Sequence, residues 1–190
     1  MVGRTPTEVE EHTVSILVAY ASKHGATQGI AERIAATLEA ASRPAEALPV
    51  SAVTDIASYD AFVIGSAVYL GKWRKDATEF VHEHQTLLAG SPVWLFASGP
   101  LGTATQDDQG RDLVETSQPK EFAEFAESIK PRDLCVFFGA LDPTTHDTAG
   151  RLLRLLPAGR TLLPEGDFRD WAAIDAWAET IAHDLPTTAP

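Results

Sequence analysis

Six consecutive residues, Ser22, Lys23, His24, Gly25, Ala26 and Thr27, separate an apolar run at Val14–Tyr20 from a helical pattern. Ser22 and Thr27 can each offer a hydroxyl to an oxyanion, and Gly25 permits a tight turn. The N–H groups at the start of the following helix add further donors and a partial positive charge. That combination suits a terminal phosphate. Two other phosphate loops are excluded by the letters: no Gly-Lys-Ser/Thr tripeptide occurs, and Gly25 is followed by Gly29, which breaks the G-x-G-x-x-G spacing. A monophosphate therefore fits better than a pyrophosphate. Taken alone, the turn is equally consistent with a plain strand-to-helix connection in which Ser22 caps the helix.

Two more segments favour the phosphate reading. SAVYLGKW holds Tyr69 and Trp73 beside the flexible Gly71, a source of aromatic faces for a planar ring. SGPLG, Ser98 to Gly102, offers backbone groups with few bulky side chains for the polar rim of such a ring. Core packing is the alternative for each aromatic; at least one of the two is expected to stack, and the letters do not choose between them. His24 is expected to use its backbone N–H rather than imidazole charge. His82 and His84 stand two apart on a helix and point to different faces, and His146 has no evident partner, so no metal site is expected. No side chain is singled out as a catalytic acid, base or nucleophile.

Alternating strands and helices must position these segments. Val14–Tyr20 reads as a strand covered on both faces. The helix after it carries Ile30, Ala31, Ile34, Ala35 and Leu38 on one side. Strands follow at about Glu46–Val50, Ala61–Gly65, Pro92–Ser98 and Asp133–Leu141. A helix with Ala77, Phe80, Val81, His84 and Leu87 on one stripe lies between the third and fourth, and one starting at Pro119 with Phe122, Phe125 and Ile129 precedes the fifth. The last helix is expected to begin near Asp167 and to bury Trp171, Ile174, Trp177 and Ile181. This alternation predicts an α/β doubly wound parallel sheet with helices on both faces.

A chain of 190 residues, 44% of them hydrophobic, suffices for one core. A single domain is expected, with its core at about 14–185 and loose tails at 1–12 and 186–190. No apolar run reaches the ~20 residues of a membrane span, and the first dozen residues are polar and acidic, so the expected location is cytoplasmic. Fifteen basic against 27 acidic residues give a net charge of −12. That charge repels nucleic acid and attracts basic protein surfaces. The single cysteine, Cys135, excludes a disulfide within the chain and reads as a strand residue.

YASKHGAT, FVIGSAVYLGKWRKDATEFV and LFASGPLG together resemble the flavodoxin family, over about Val14 to Leu185. The resemblance implies a flavodoxin-like, five-stranded parallel sheet in order 2-1-3-4-5 that binds flavin mononucleotide (FMN) between its first and third strands. It assigns Ser22, Lys23, His24, Gly25, Ala26 and Thr27 to the phosphate. Ser66, Ala67, Val68, Tyr69, Leu70, Gly71 and Trp73 fall along one face of the isoalloxazine, and Ser98, Gly99, Pro100, Leu101 and Gly102 along its other edge. Lys23 and His24 stand where the family usually has hydroxyls, which changes the electrostatics of the loop. Electron transfer through the flavin is the function implied, with a redox partner of basic surface or a quinone opposite it.

Within that superfamily, GKWRKDATEFV, VFFGAL and DFRDWAAIDAWAETIAHDL look most like the subgroup holding the bacterial menaquinone-dependent protoporphyrinogen oxidases. Those enzymes oxidise a porphyrinogen and pass electrons to a membrane quinone, and they carry an insertion before the last helix. The matching segment here, Asp142–Gly166, is short. It sets Arg151, Arg154 and Arg160 among leucines. A cover over the flavin edge or sheet end is preferred to a peripheral membrane, quinone or substrate contact for so small a piece. A cofactor-free binding or regulatory module is the second alternative. Signal receivers need acidic residues where this chain has Tyr20-Ala21 and Gly65-Ser66.

Overall fold

The computed structural model describes residues 14–141 and 164–186. The Arg151–Arg160 segment and both expected tails, save Pro186, lie outside the described residues. Five strands run parallel: β1 (Ile16–Ala21), β2 (Ala45–Pro49), β3 (Ala61–Tyr69), β5 (Val93–Ser98) and β6 (Asp133–Phe137), in the order β2-β1-β3-β5-β6. With the hairpin strand β4 (Lys72–Trp73) set aside, this is the expected 2-1-3-4-5.

Every residue of β1 is buried, which is why its sequence is continuously apolar rather than alternating. Its side chains still divide by face. Ile16 and Val18 join a core with Ile30, Ile34 and Leu38 of α1 (Ala26–Ala40) and with Ile174, Trp177 and Ile181 of the last helix, α6 (Trp171–Asp184). Leu17 and Ala19 join the opposite core, beneath Phe80 and Val81 of α2 (Lys75–Glu83), Leu88 of α3 (Gln85–Leu88), and Phe122 and Phe125 of α5 (Glu121–Ser128). Helices thus cover both faces. Among the described residues no helix is long and apolar enough to cross a membrane.

Six elements depart from the sequence reading. β3 does not stop at Gly65; it continues to Tyr69 and turns back on β4, with Val68 opposite Trp73 and Tyr69 opposite Lys72. Leu70 (φ 53°) and Gly71 (φ 71°) make the turn, both left-handed as a two-residue hairpin requires. The helix expected across Ala77–Leu87 breaks at His84.

The fifth parallel strand ends at Phe137, not Leu141. Gly139 leaves the sheet to donate its N–H to Pro100 O at 2.9 Å, and Ala140–Leu141 (β7) pairs antiparallel with Gly166–Asp167 (β8). The polar loop 99–118 contains a short helix, α4 (Leu113–Thr116), capped by Asp112. α5 starts after Lys120, two residues beyond the expected Pro119.

α6 begins after Asp170, whose carboxylate caps Ala173 N–H at 3.0 Å. Asp167 cannot cap it, because both of its oxygens are held by Arg169, at 2.7 and 2.6 Å. Trp171, expected in the core, is partly exposed, its ring beneath the Arg169 guanidinium at 4.3 Å. It falls on the first residue of the helix, beyond the reach of the sheet.

Candidate functional site

The parallel register places the carboxyl ends of three strands side by side, with Ala21 of β1 opposite Ser66 of β3 and Ala67 of β3 opposite Ser98 of β5. All three segments singled out by composition therefore meet at one edge of the sheet, where ligands of doubly wound folds sit.

In the first segment Gly25, not Ser22, is the N-cap of α1, and it adopts the left-handed conformation (φ 85°) with open space where a Cβ would stand. Ser22 closes the turn instead: its Oγ accepts the Gly25 N–H at 3.0 Å. The first backbone bond of the helix runs from Gly29 N–H to Gly25 O at 3.0 Å. The N–H groups of Ala26, Thr27 and Gln28 thus stand ahead of the helical ladder. No acidic residue lies in this first turn to occupy the positive end of the helix. Thr27 is 1% exposed, and its Oγ1 is buried without a hydrogen-bond partner. A buried hydroxyl left unmatched costs about 1–3 kcal/mol, which an oxyanion accepting its proton would offset. The donor set and the orphaned hydroxyl fit a phosphate ester.

In the second segment Ser66 is fully buried, and its Oγ accepts Arg74 N–H at 3.0 Å, tying the start of α2 to the end of β3. The two aromatics part company. Trp73 is 4% exposed and packs on Phe122 and Phe125, with ring centroids 5.6 and 5.5 Å away, and Glu121 accepts its backbone N–H at 3.0 Å. Tyr69 is 47% exposed and Leu70 fully so. Tyr69 alone of the pair offers an accessible ring. Lys23 from the first segment and Tyr69, Trp73 and Arg74 from the second line one cavity of about 550 Å³. Its other walls carry charges already matched at close range, Arg74 with Asp76 at 2.9 Å and Lys75 with Glu79 at 3.1 Å.

In the third segment Gly99 donates to Phe137 O at 3.1 Å, and Pro100 O receives the Gly139 N–H. A Cβ on Gly99 would touch Val68 Cβ at 3.4 Å, so the second and third segments are in contact. Gly102 adopts a positive φ of 99°.

One residue at this edge was not foreseen. Arg169, from the stretch between β8 and α6, donates from Nη1 to Ala26 O at 3.3 Å, inside the first turn of α1. The only trace of it in the letters is Gly29, a glycine in a helix interior where alanine would be favoured.

Comparison with known proteins agrees with this fold. A family model described as "Flavodoxin domain" matches residues 17–153. Oxidised flavodoxin 1 of Bacillus cereus superposes with a TM-score of 0.57 at 12% identity, over 90% of this chain and 99% of that one. A cysteine-to-serine mutant of Pseudomonas aeruginosa flavodoxin gives 0.55 at 15% identity, over 90% and 97%. Rubredoxin oxygen:oxidoreductase of Desulfovibrio gigas gives 0.55 at 12% identity; 89% of this chain is covered, but only 35% of that longer one. No curated protein matches the sequence.

Proposed function

This chain belongs to the flavodoxin domain family, and on that footing we propose that it holds FMN at the edge formed by β1, β3 and β5 and transfers electrons through it. The observation that carries the reading is the buried, unpartnered Thr27 Oγ1, set at the start of α1 beside the amides of residues 26–28 that precede the helical ladder, in a first helical turn that holds no carboxylate.

FMN supplies one- and two-electron transfer when bound. The chain's share is binding and tuning. Ser22 shapes the turn; Thr27 and the amides of residues 26–28 would hold the 5′-phosphate, Tyr69 would offer its ring to the isoalloxazine, and the 98–102 backbone would serve the other edge. The net charge of −12 opposes added negative charge on the ring and so favours a low potential. It also favours a redox partner with a basic surface, whose reaction rate should fall as salt screens the attraction.

Titration of the purified protein with FMN and with riboflavin tests the reading. Binding of FMN that is much tighter than that of riboflavin supports it, and absence of FMN uptake favours the cofactor-free module. The narrower protoporphyrinogen-oxidase reading rests on the GKWRKDATEFV and DFRDWAAIDAWAETIAHDL motifs. It requires turnover of protoporphyrinogen with a quinone by the loaded protein; no turnover leaves the carrier.

A further inference from the structure

Arg169 is bound on three sides. Its Nε and Nη2 grip Asp167 at 2.7 and 2.6 Å, its plane lies 4.3 Å from the Trp171 ring centre, and Nη1 reaches Ala26 O at 3.3 Å. Its side chain is only 16% exposed. The guanidinium enters α1 through a gap that Gly29 leaves open: a Cβ there would stand 2.5 Å from Nη1.

The acceptor matters. Ala26 C=O and Thr27 N–H belong to one peptide unit, so a cationic donor on the oxygen polarises the unit and strengthens the N–H at its other end. That N–H is among those ahead of the helical ladder, beside the orphaned Thr27 hydroxyl. Stacking on Trp171 and the two-point bond to Asp167 fix the guanidinium plane, so this contact forms with little further loss of freedom.

We propose that Arg169 is a positioning residue for the phosphate turn: held by Asp167 and Trp171, it braces and polarises the 26–27 peptide, so that the segment before α6 sets the affinity for the 5′-phosphate and not for the ring. The inference rests on the flavin reading above. It also gives Gly29 a role as the port for the guanidinium rather than as part of the turn.

The test compares the full chain with Arg169→Ala, Arg169→Lys and Gly29→Ala, titrating FMN and riboflavin by quenching of flavin fluorescence. Hydrogen–deuterium exchange of the 26–29 amides is followed without flavin. Loss of one charge-assisted bond predicts FMN binding weakened about tenfold in Arg169→Ala. Riboflavin binding stays within about twofold, the 26–29 amides exchange faster, and Arg169→Lys, lacking the planar fork, falls between. Gly29→Ala gives the same selective loss with a melting temperature close to that of the parent, because the helix preference for alanine offsets the displacement of the guanidinium. Equal weakening of both ligands, or unchanged FMN affinity with unchanged exchange, overturns the proposal. A parent protein that binds neither flavin overturns the flavin reading first, while the exchange result still reports whether Arg169 braces the turn.

Discussion

The ring of Phe96 lies flat over Gly65, its register partner on the neighbouring strand, so that a Cβ on Gly65 would come within 2.0 Å of Cζ. Phe96 is fully buried, with Phe137 and Trp177 at 6.1 and 6.2 Å, and has nowhere to retreat. Gly65→Ala is expected to cost about 1–3 kcal/mol by overpacking. Adding Phe96→Leu should recover part of that loss. Urea unfolding measures both, and a Gly65→Ala midpoint equal to the parent's contradicts this account of the sheet centre.

Thr27→Val removes the orphaned hydroxyl at nearly constant volume. Stability without flavin should hold or rise, since an unmatched polar atom leaves the interior, while FMN affinity should drop about tenfold. A variant that loses stability but binds FMN as before would show that the hydroxyl serves the fold.

Tyr69 and Trp73 should respond in opposite ways. Trp73→Ala opens a cavity between β4 and α5 and is expected to cost about 3–5 kcal/mol. Tyr69→Leu, at a half-exposed position, should stay within about 0.5 kcal/mol of the parent while shifting the flavin absorbance and its midpoint potential. Chemical denaturation and a redox titration on the two variants separate the roles.

Acid stability should depend on two carboxylates. Hydrogen bonding from the Arg33 guanidinium, and next from Thr37, holds Asp175 below the usual carboxylate range, and hydrogen bonding from Arg169 does the same for Asp167. A folded-state pKa below the unfolded one of ~3.9 gives stability that is fully present above that value and disappears as pH falls through the folded one. The urea midpoint should therefore be insensitive to these groups from pH 7 to about 5 and decline below about 4. Asp175→Asn, with Arg33 left unpaired, should flatten that acid limb; an unchanged slope would mean that the pair across α1 and α6 contributes nothing.

Cys135 should be inert in the native protein. Burial, and next the neighbouring Asp133, push its thiol up to about 12, so almost no thiolate exists at pH 8. A thiol reagent should label it far more slowly in the native protein than in the unfolded one, and equal rates would refute this.

The sheet was legible because a parallel strand covered on both faces must be apolar throughout, and VSILVAY, AFVIG and PVWLFAS each carry that signal. The hairpin at Leu70–Gly71 was not, since its left-handed turn uses leucine where asparagine would announce it. Tyr69 and Trp73 were indistinguishable as letters; only the packing of Phe122 and Phe125 from a distant helix assigns Trp73 to the core. Arg169 was invisible for the same reason, as 143 residues separate it from Ala26 along the chain. The turn at Ser22–Thr27, by contrast, is local, and its place between β1 and α1 could be read directly.

The seam between α1 and α6 joins the first helix of the described fold to the last. Ile30, Ile34 and Leu38 are covered by Ile174, Trp177 and Ile181, and the Arg33–Asp175 pair spans the same seam at 2.5 Å. During translation the earlier helix leaves the ribosome with its oily side bare, and it remains so until its cover has been synthesised. On the proposed flavin reading, loading should therefore await the completed chain, and a nascent polypeptide stalled short of residue 174 should engage chaperones rather than flavin.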